Sequence, residues 1–207
     1  MQHRGFLIVL APMVLVACGG DDHYNGNLTT PLVTTLAYEG FTSYPGVGPP
    51  GRYDFALTPT SNLSDILASR SINLRAGTSY SLYALGPLAQ IFPFITHDDY
   101  RSYSTQARLR FIQGSPSAQL VDVYLTASGA GIASATPTYV AMPFATDTGF
   151  VSYVQGSYEL TVTLTGGKTP IIGPVSVTLN NGGVYTAVAR DAQGDGAPYG
   201  LIELDDL

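Results

Sequence analysis

The 207-residue chain has one cysteine, Cys18, so no pair of its own thiols can close a disulfide and no cysteine cluster can hold zinc. Basic residues are scarce as well. Nine Lys/Arg stand against fifteen Asp/Glu, and only 12% of residues carry charge. An acidic chain without basic clusters is a poor match for phosphate backbones or anionic lipid surfaces, so nucleic acid is not an expected partner. Long apolar runs are missing from the region where a membrane helix would be sought. Residues 5–16 form an apolar stretch of twelve, whereas a helix crossing a hydrocarbon core of about 30 Å needs about twenty residues.

What is present at the N-terminus explains that short run. Arg4 followed by residues 5–16 has the layout of a signal peptide, and the Leu15-Val16-Ala17-Cys18 that ends it resembles a bacterial lipobox. That resemblance implies removal of residues 1–17 and acylation of Cys18 as the first residue of the mature chain. Two or three acyl chains, at about 0.8 kcal/mol per buried CH₂, exceed what stable anchoring requires. The expected mature chain of 190 residues keeps eight Lys/Arg and fifteen Asp/Glu, a net charge of −7. Its partner is the membrane, reached through the lipid on Cys18. Residues 18–27, rich in Gly, Asn and Asp, read as a flexible tether. The absence of aspartate directly after Cys18 resembles the outer-membrane sorting pattern of hosts with two membranes.

With 45% hydrophobic residues, the rest of the chain has ample material for a core. Twenty-three glycines, fourteen prolines and fourteen tyrosines punctuate short Thr/Val/Leu alternations, which points to an all-β protein. The only helix candidate, 64–69, is set aside because its counterpart in the repeat, 166–171, reads as a turn and strand. That repeat has a period of 105 residues. Gly51-Arg52-Tyr53-Asp54-Phe55-Ala56-Leu57-Thr58 matches Gly156-Ser157-Tyr158-Glu159-Leu160-Thr161-Val162-Thr163, both alternating like a strand with one buried face. At the same offset, Leu74-Arg75-Ala76-Gly77-Thr78-Ser79-Tyr80 matches Leu179-Asn180-Asn181-Gly182-Gly183-Val184-Tyr185. Each copy closes with an apolar strand running into acids, 92–99 and 199–206.

The Leu-x-x-Gly-x-x-Tyr spacing resembles the tyrosine corner of Greek-key sandwiches, in which a tyrosine hydroxyl reaches back to the backbone a few residues upstream. Tyr80 and Tyr185 are therefore expected to be structural, with glycine supplying a positive φ between. The second copy starts at Ala107, with strands expected over 109–112 and 120–125. Subtracting 105 from 107–126 gives 2–21, which is leader and tether. The first copy thus lacks its own opening strands. It is expected to pack on the second, to borrow residues 28–38 as a replacement strand, or to pair with another chain. The organisation expected is leader 1–17, tether 18–27, an incomplete sandwich 28–99, linker 100–106 and a complete sandwich 107–207.

The run Leu109-Arg110-Phe111-Ile112-Gln113-Gly114-Ser115-Pro116, followed by Val121-Asp122-Val123-Tyr124, resembles the opening of domain-of-unknown-function family 4397, whose members read Arg-x-x-His-x-Ser-Pro, Val-Asp-Val-Tyr, Gly-x-Tyr and Leu-x-x-Gly-x-x-Tyr-Thr. Gly156, Tyr158, Leu179, Gly182, Tyr185 and Thr186 match the later positions, so the resemblance covers 107–207 well and 31–99 partially. It implies tandem immunoglobulin-like β-sandwiches at the cell envelope and no particular activity. Gln113 stands where the family has histidine, so no metal or proton-transfer role carries over to it.

Chemistry finds little foothold. The mature chain offers two histidines: His23 in the tether, and His97 before Asp98-Asp99 at a strand end, neither beside an evident nucleophile. Asp98, Asp99, Asp191, Asp195, Asp205 and Asp206 could offer calcium its six to eight oxygens, but their spacing fits no EF-hand loop, and solvated turn acids explain them better. Tyr53, Tyr80, Tyr158 and Tyr185 recur in both copies and belong to the architecture. Tyr44, Tyr83, Tyr100, Tyr103, Tyr139 and Tyr153 do not, and are freer to face a ligand, although cross-strand packing also accounts for them. The expected function is a non-enzymatic, lipid-anchored binding or scaffolding module with an envelope protein as partner. The alternative is a module for envelope polysaccharide, with or without calcium, and a hydrolase is the least favoured reading. No catalytic, cofactor or metal residue is assigned.

Overall fold

The computed structural model describes residues 8–11, 32–36, 42–43, 50–59, 65–76, 78–86, 90–99, 101–191 and 197–206, and is nearly all β. The chain divides into two compact units, Phe6–Asp99 and Tyr100–Leu207.

In the first unit, strands β1 (Ile8–Ala11), β3 (Thr42–Ser43), β6 (Ser79–Leu85) and β7 (Phe92–Asp98) form one sheet in the order β3-β1-β6-β7. Strands β2 (Leu32–Leu36), β4 (Gly51–Pro59) and β5 (Ala68–Leu74) form the other, in the order β2-β4-β5. The alternation in β4 works as a half-buried strand should, since Tyr53, Phe55 and Leu57 share one face. That face packs with Ile72 and Leu74 of β5 and with Tyr80, Leu82 and Ala84 of β6. The opposite face of β6 is covered too: Ser81, Tyr83 and Leu85 are all buried. Of the helix candidate, the described residues 65–69 form no helix: Leu67 is a bend and β5 begins at Ala68.

In the second unit, β8 (Ala107–Gln113), β11 (Thr146–Asp147), β15 (Val184–Arg190) and β16 (Gly200–Asp205) make a sheet in the order β11-β8-β15-β16, with β12 (Val151–Tyr153) also on β8. Strands β9 (Val121–Ala127), β10 (Tyr139–Met142), β13 (Gly156–Leu164) and β14 (Pro170–Leu179) make the facing sheet, in the order β10-β9-β13-β14. Between the two sheets lies one core, in which Leu109 and Phe111 of β8 and Ala187 and Ala189 of β15 meet Val121, Val123, Leu160, Val162, Val177 and Leu179. This is a two-sheet sandwich. All seven residues of β8 are buried, so both of its faces are covered.

The 105-residue offset reappears as hydrogen-bond register. Gly51 pairs with Leu74 and Phe55 with Arg70 across β4 and β5; Gly156 pairs with Leu179 and Leu160 with Val175 across β13 and β14. Past Leu160 the second pair departs from the first at a bulge centred on Gly173, whose φ of +87° puts any added Cβ against the Leu160 carbonyl oxygen. The closing strands keep a different offset. Tyr80 faces His97 while Tyr185 faces Asp205, a separation larger by three residues. The sequence match of 92–99 to 199–206 is therefore one residue out of step, because the connection before β16 is longer than that before β7.

The two opening strands missing from the first copy have substitutes. β2 pairs with β4 in the position that β9 holds on β13, and β1 pairs with β6 in the position that β8 holds on β15. The neighbours of β4 and β6 are thereby reproduced, with no counterpart of β10 among the described residues, but both substitutes run the other way. β2 is parallel to β4 where β9 is antiparallel to β13, and β1 is antiparallel to β6 where β8 is parallel to β15. Of the three expected remedies for the truncation, the borrowing of 28–38 is thus realised by Leu32–Leu36.

Candidate functional site

The motif residues of β8 and β9 converge on buried polar pins. Arg110, Gln113 and Ser115 are completely buried. The Gln113 side chain clasps the turn that follows it. Its amide nitrogen donates to the carbonyl of Ser115 at 3.2 Å and of Gln119 at 3.4 Å, and its oxygen accepts from the Ser115 N–H at 3.2 Å. The Ser115 hydroxyl donates to the Asp191 carboxylate, which also accepts from the Ser117 N–H at 3.4 Å. Gln113 can therefore hold this turn because its amide donates and accepts at once.

Arg110 is fixed by a hydroxyl and a ring. Its Nε and Nη2 donate to Thr186 Oγ1 at 3.2 and 3.1 Å, and its guanidinium lies 4.3 Å from the Phe150 ring centre. The Thr186 hydroxyl in turn donates to Asp206 at 2.6 Å. One threonine oxygen, with one hydrogen and two lone pairs, thus joins a guanidinium to a carboxylate with all its capacity used. Arg108 shares the Phe150 ring, at 5.3 Å from its centre, and lies 5.6 Å from that of Tyr103. The first unit repeats the pin at the matching residue: the Ser81 hydroxyl, 105 positions before Thr186, donates to Asp98 at 2.5 Å, and Thr96 donates to the second oxygen at 3.0 Å.

A further polar layer lies on the outer face of β9. Asp122, 2% exposed, accepts the N–H of Ala141 at 2.8 Å and of Gly166 at 2.9 Å. Burial alone pushes its carboxyl pKa up. The two amides, a bond with Thr165 and the nearby charge of Lys168 outweigh that and hold it below the ordinary carboxylate value. Lys168 sits 4.6 Å from the Tyr124 ring centre and donates to the carbonyls of Ile132 and Ala135, tying the 128–138 loop to this face.

The tyrosine corners form as expected. Tyr80 OH accepts from the Arg75 N–H and Tyr185 OH from the Asn180 N–H, each at 3.2 Å and each five residues back. Gly182 has the positive φ, +85°, expected between. Tyr83 is 1% exposed and hence unavailable to a ligand, contrary to its place among the freer tyrosines. Tyr139 and Tyr153 pack on the core with their hydroxyls 2.9 Å apart. Burial, then that bond, raises the Tyr153 phenol above its ordinary value. Tyr103, at 40% exposure, does face solvent.

Other residues singled out from the sequence are scattered. His97 is exposed and stands edge-on to the Tyr80 ring at 4.6 Å, while the neighbouring Asp98 carboxylate is bound by Ser81 and Thr96. Asp98, Asp191 and Asp206 each bond a different hydroxyl, and among the described residues no three His, Cys, Asp or Glu side chains gather as a metal site would require. Cys18, His23, Tyr44, Tyr100 and Asp195 lie outside the described residues. Among those described, no helix is long and apolar enough to cross a membrane. The roles of Asp122, Phe150 and Lys168 were not foreseen. Asp122 did leave a trace, as an acid inside an apolar strand; Phe150 and Lys168 left none, being loop residues brought over a sheet from afar.

These features define a class: an all-β sandwich protein whose motif side chains serve as internal pins. Residues 21–124 match the family described as Domain of unknown function (DUF4397), and the chain belongs to that family. The match starts in the segment expected to be the tether, takes in the first unit from residue 21 onward, leaving out β1, and ends on Val121-Asp122-Val123-Tyr124. It therefore lies earlier in the chain than the motifs of 107–207 led us to expect. No curated protein matches the chain.

Proposed function

We propose that this protein is a cell-envelope lipoprotein, anchored through acylated Cys18, that acts as a non-enzymatic binding or scaffolding module built from two tandem immunoglobulin-like sandwiches. The observation that carries the non-enzymatic part is the internal use of the motif. Arg110, Gln113, Ser115 and Asp122 are all buried and bonded to the frame around them, so the residues that resemble the family's signature hold the fold and do not face a substrate. Sandwiches bind partners through loops and edges, which sets the partner apart from these pins. If the host has two membranes, the outer one is the proposed site of anchoring.

The test is in-cell crosslinking of the acylated protein followed by mass spectrometry, with Cys18→Ala as the unanchored control. The expected result is incorporation of labelled fatty acid that Cys18→Ala abolishes, together with an envelope protein captured by the wild type and lost from the control. Absence of fatty acid on the wild type overturns the anchoring. Capture of nothing beyond the control overturns scaffolding in favour of polysaccharide binding, for which exposed Tyr103, stacked on Arg108, is the specific supporting feature. Thermal shift against glycans and calcium then decides, because a ligand at 100 times its Kd adds about 2.7 kcal/mol.

A further inference from the structure

The first unit is a sandwich whose sheet depends on a segment that the anchoring reading removes. β6 is buried at six of its seven positions, Tyr80 through Leu85. It has β7 along one edge and β1, paired at Ile8↔Ala84 and Val9↔Tyr83, along the other. β15, its counterpart by the 105-residue offset, is likewise held on both edges, by β16 and β8. A strand this deeply buried needs partners on both sides, because backbone N–H and C=O groups left unpaired away from water are costly. Yet Ile8–Ala11 lies inside residues 1–17, the leader expected to be cut away before Cys18.

We propose that in the mature protein the β6 edge is a strand-accepting site, filled by an extended apolar segment of a partner protein that adds beside Ser79–Leu85. This rests on the lipoprotein reading and names the kind of partner that reading leaves open. The chemistry of the occupant is read from what occupies the position in each unit. In the first it is Ile-Val-Leu-Ala, a short apolar strand with no charge. In the second it is the wholly buried β8, whose core residues Ala107, Leu109 and Phe111 are apolar while Arg108 and Arg110 alternate with them. The two occupants differ in direction, β1 being antiparallel to β6 and β8 parallel to β15. The register of β1 assigns the antiparallel mode to β6. Main-chain hydrogen bonds supply the affinity in such strand addition, and alternate side chains supply the selectivity. β2 does not compete for the site, being already paired to β4 in the other sheet.

The experiment uses the acylated protein extracted from membranes in mild detergent, with its N-terminus determined by mass spectrometry. A synthetic peptide copying residues 7–11, solubilised by added lysines, is titrated in, and amide exchange over 79–85 is followed. Two further peptides carry N-methyl groups on alternate residues, one set on each edge of the strand. We expect an N-terminus at acylated Cys18, saturable binding, exchange over 79–85 slowed about tenfold or more, and loss of binding for only one of the two N-methylated peptides. An N-terminus other than Cys18 overturns the anchoring reading itself. With Cys18 at the N-terminus, the edge proposal is overturned by any of three results: no binding, equal binding of both methylated peptides, or full protection of 79–85 before peptide is added. A dimer that buries 79–85 in the free protein would give that last result and would replace a foreign partner with a second copy.

Discussion

Asp122 offers the sharpest test of the idea that the family motif is a set of internal pins. Its carboxylate accepts two backbone N–H bonds, from Ala141 at 2.8 Å and Gly166 at 2.9 Å, and so fastens β10 and the β13–β14 turn to β9. Hydrogen bonds to a charged group contribute about 1.5–3 kcal/mol each, and a buried donor left alone costs about 1–3 kcal/mol. Gly166 is exposed and its amide can turn to water; Ala141 is half-buried and recovers less. Asp122→Ala should therefore cost about 2–4 kcal/mol, less than the two bonds summed, and lower the Tm by about 10 °C or more for a unit of this size. Asp122→Asn keeps an acceptor of the same shape and should cost roughly half as much. The pH dependence follows from the direction of the shift. The folded-state pKa lies below the unfolded-state value of about 3.9. The charge-dependent stabilisation is then fully present above that value and disappears as pH falls through the folded-state value. Urea unfolding followed by tyrosine near-UV circular dichroism suits a chain with fourteen tyrosines and no tryptophan. Wild type should exceed Asp122→Asn in stability at about pH 7, and the gap should narrow progressively as pH falls below the unfolded-state value of about 3.9. A gap that stays constant across this range would refute the reasoning, since it would mean that the carboxylate charge plays no part.

The other pins give smaller experiments. Thr186→Val removes the hydroxyl that joins Arg110 to Asp206 while keeping its volume, and should cost about 2–3 kcal/mol by urea unfolding. Ser81→Ala, its counterpart in the first unit, should lower that unit's stability by about 1–2 kcal/mol, and no loss in either variant would count against equivalent roles. Tyr185→Phe keeps the ring and loses the bond from the Asn180 N–H, at a cost of about 1 kcal/mol. Gly173→Ala forces a Cβ against the Leu160 carbonyl at a φ of +87° and should destabilise by about 2 kcal/mol or more; a neutral result would mean that the bulge can relax.

The sequence alone was enough for the class and for the frame. Tyr53, Phe55 and Leu57 alternate, as do Tyr158, Leu160 and Val162, because a strand with one buried face must, and the shared offset of 105 carries over into the register of β4 on β5 and β13 on β14. The tyrosine corners were legible for a similar reason: Tyr80 and Tyr185 bond only five residues back, so the contact is contained in a short stretch of chain. What the sequence left undecided was set by distance along the chain. Phe150 beneath two arginines, Lys168 over Tyr124 and Asp191 at the Ser115 turn join residues that local pattern cannot relate, and Tyr83 looked available because the burial of both faces of β6 is a tertiary fact. The direction of the substitute strands belongs here too. Alternation shows that Leu32–Leu36 can be a strand, but a strand has the same side-chain period whichever way it runs, so only the folded sheet decided that β2 lies parallel to β4 and β1 antiparallel to β6.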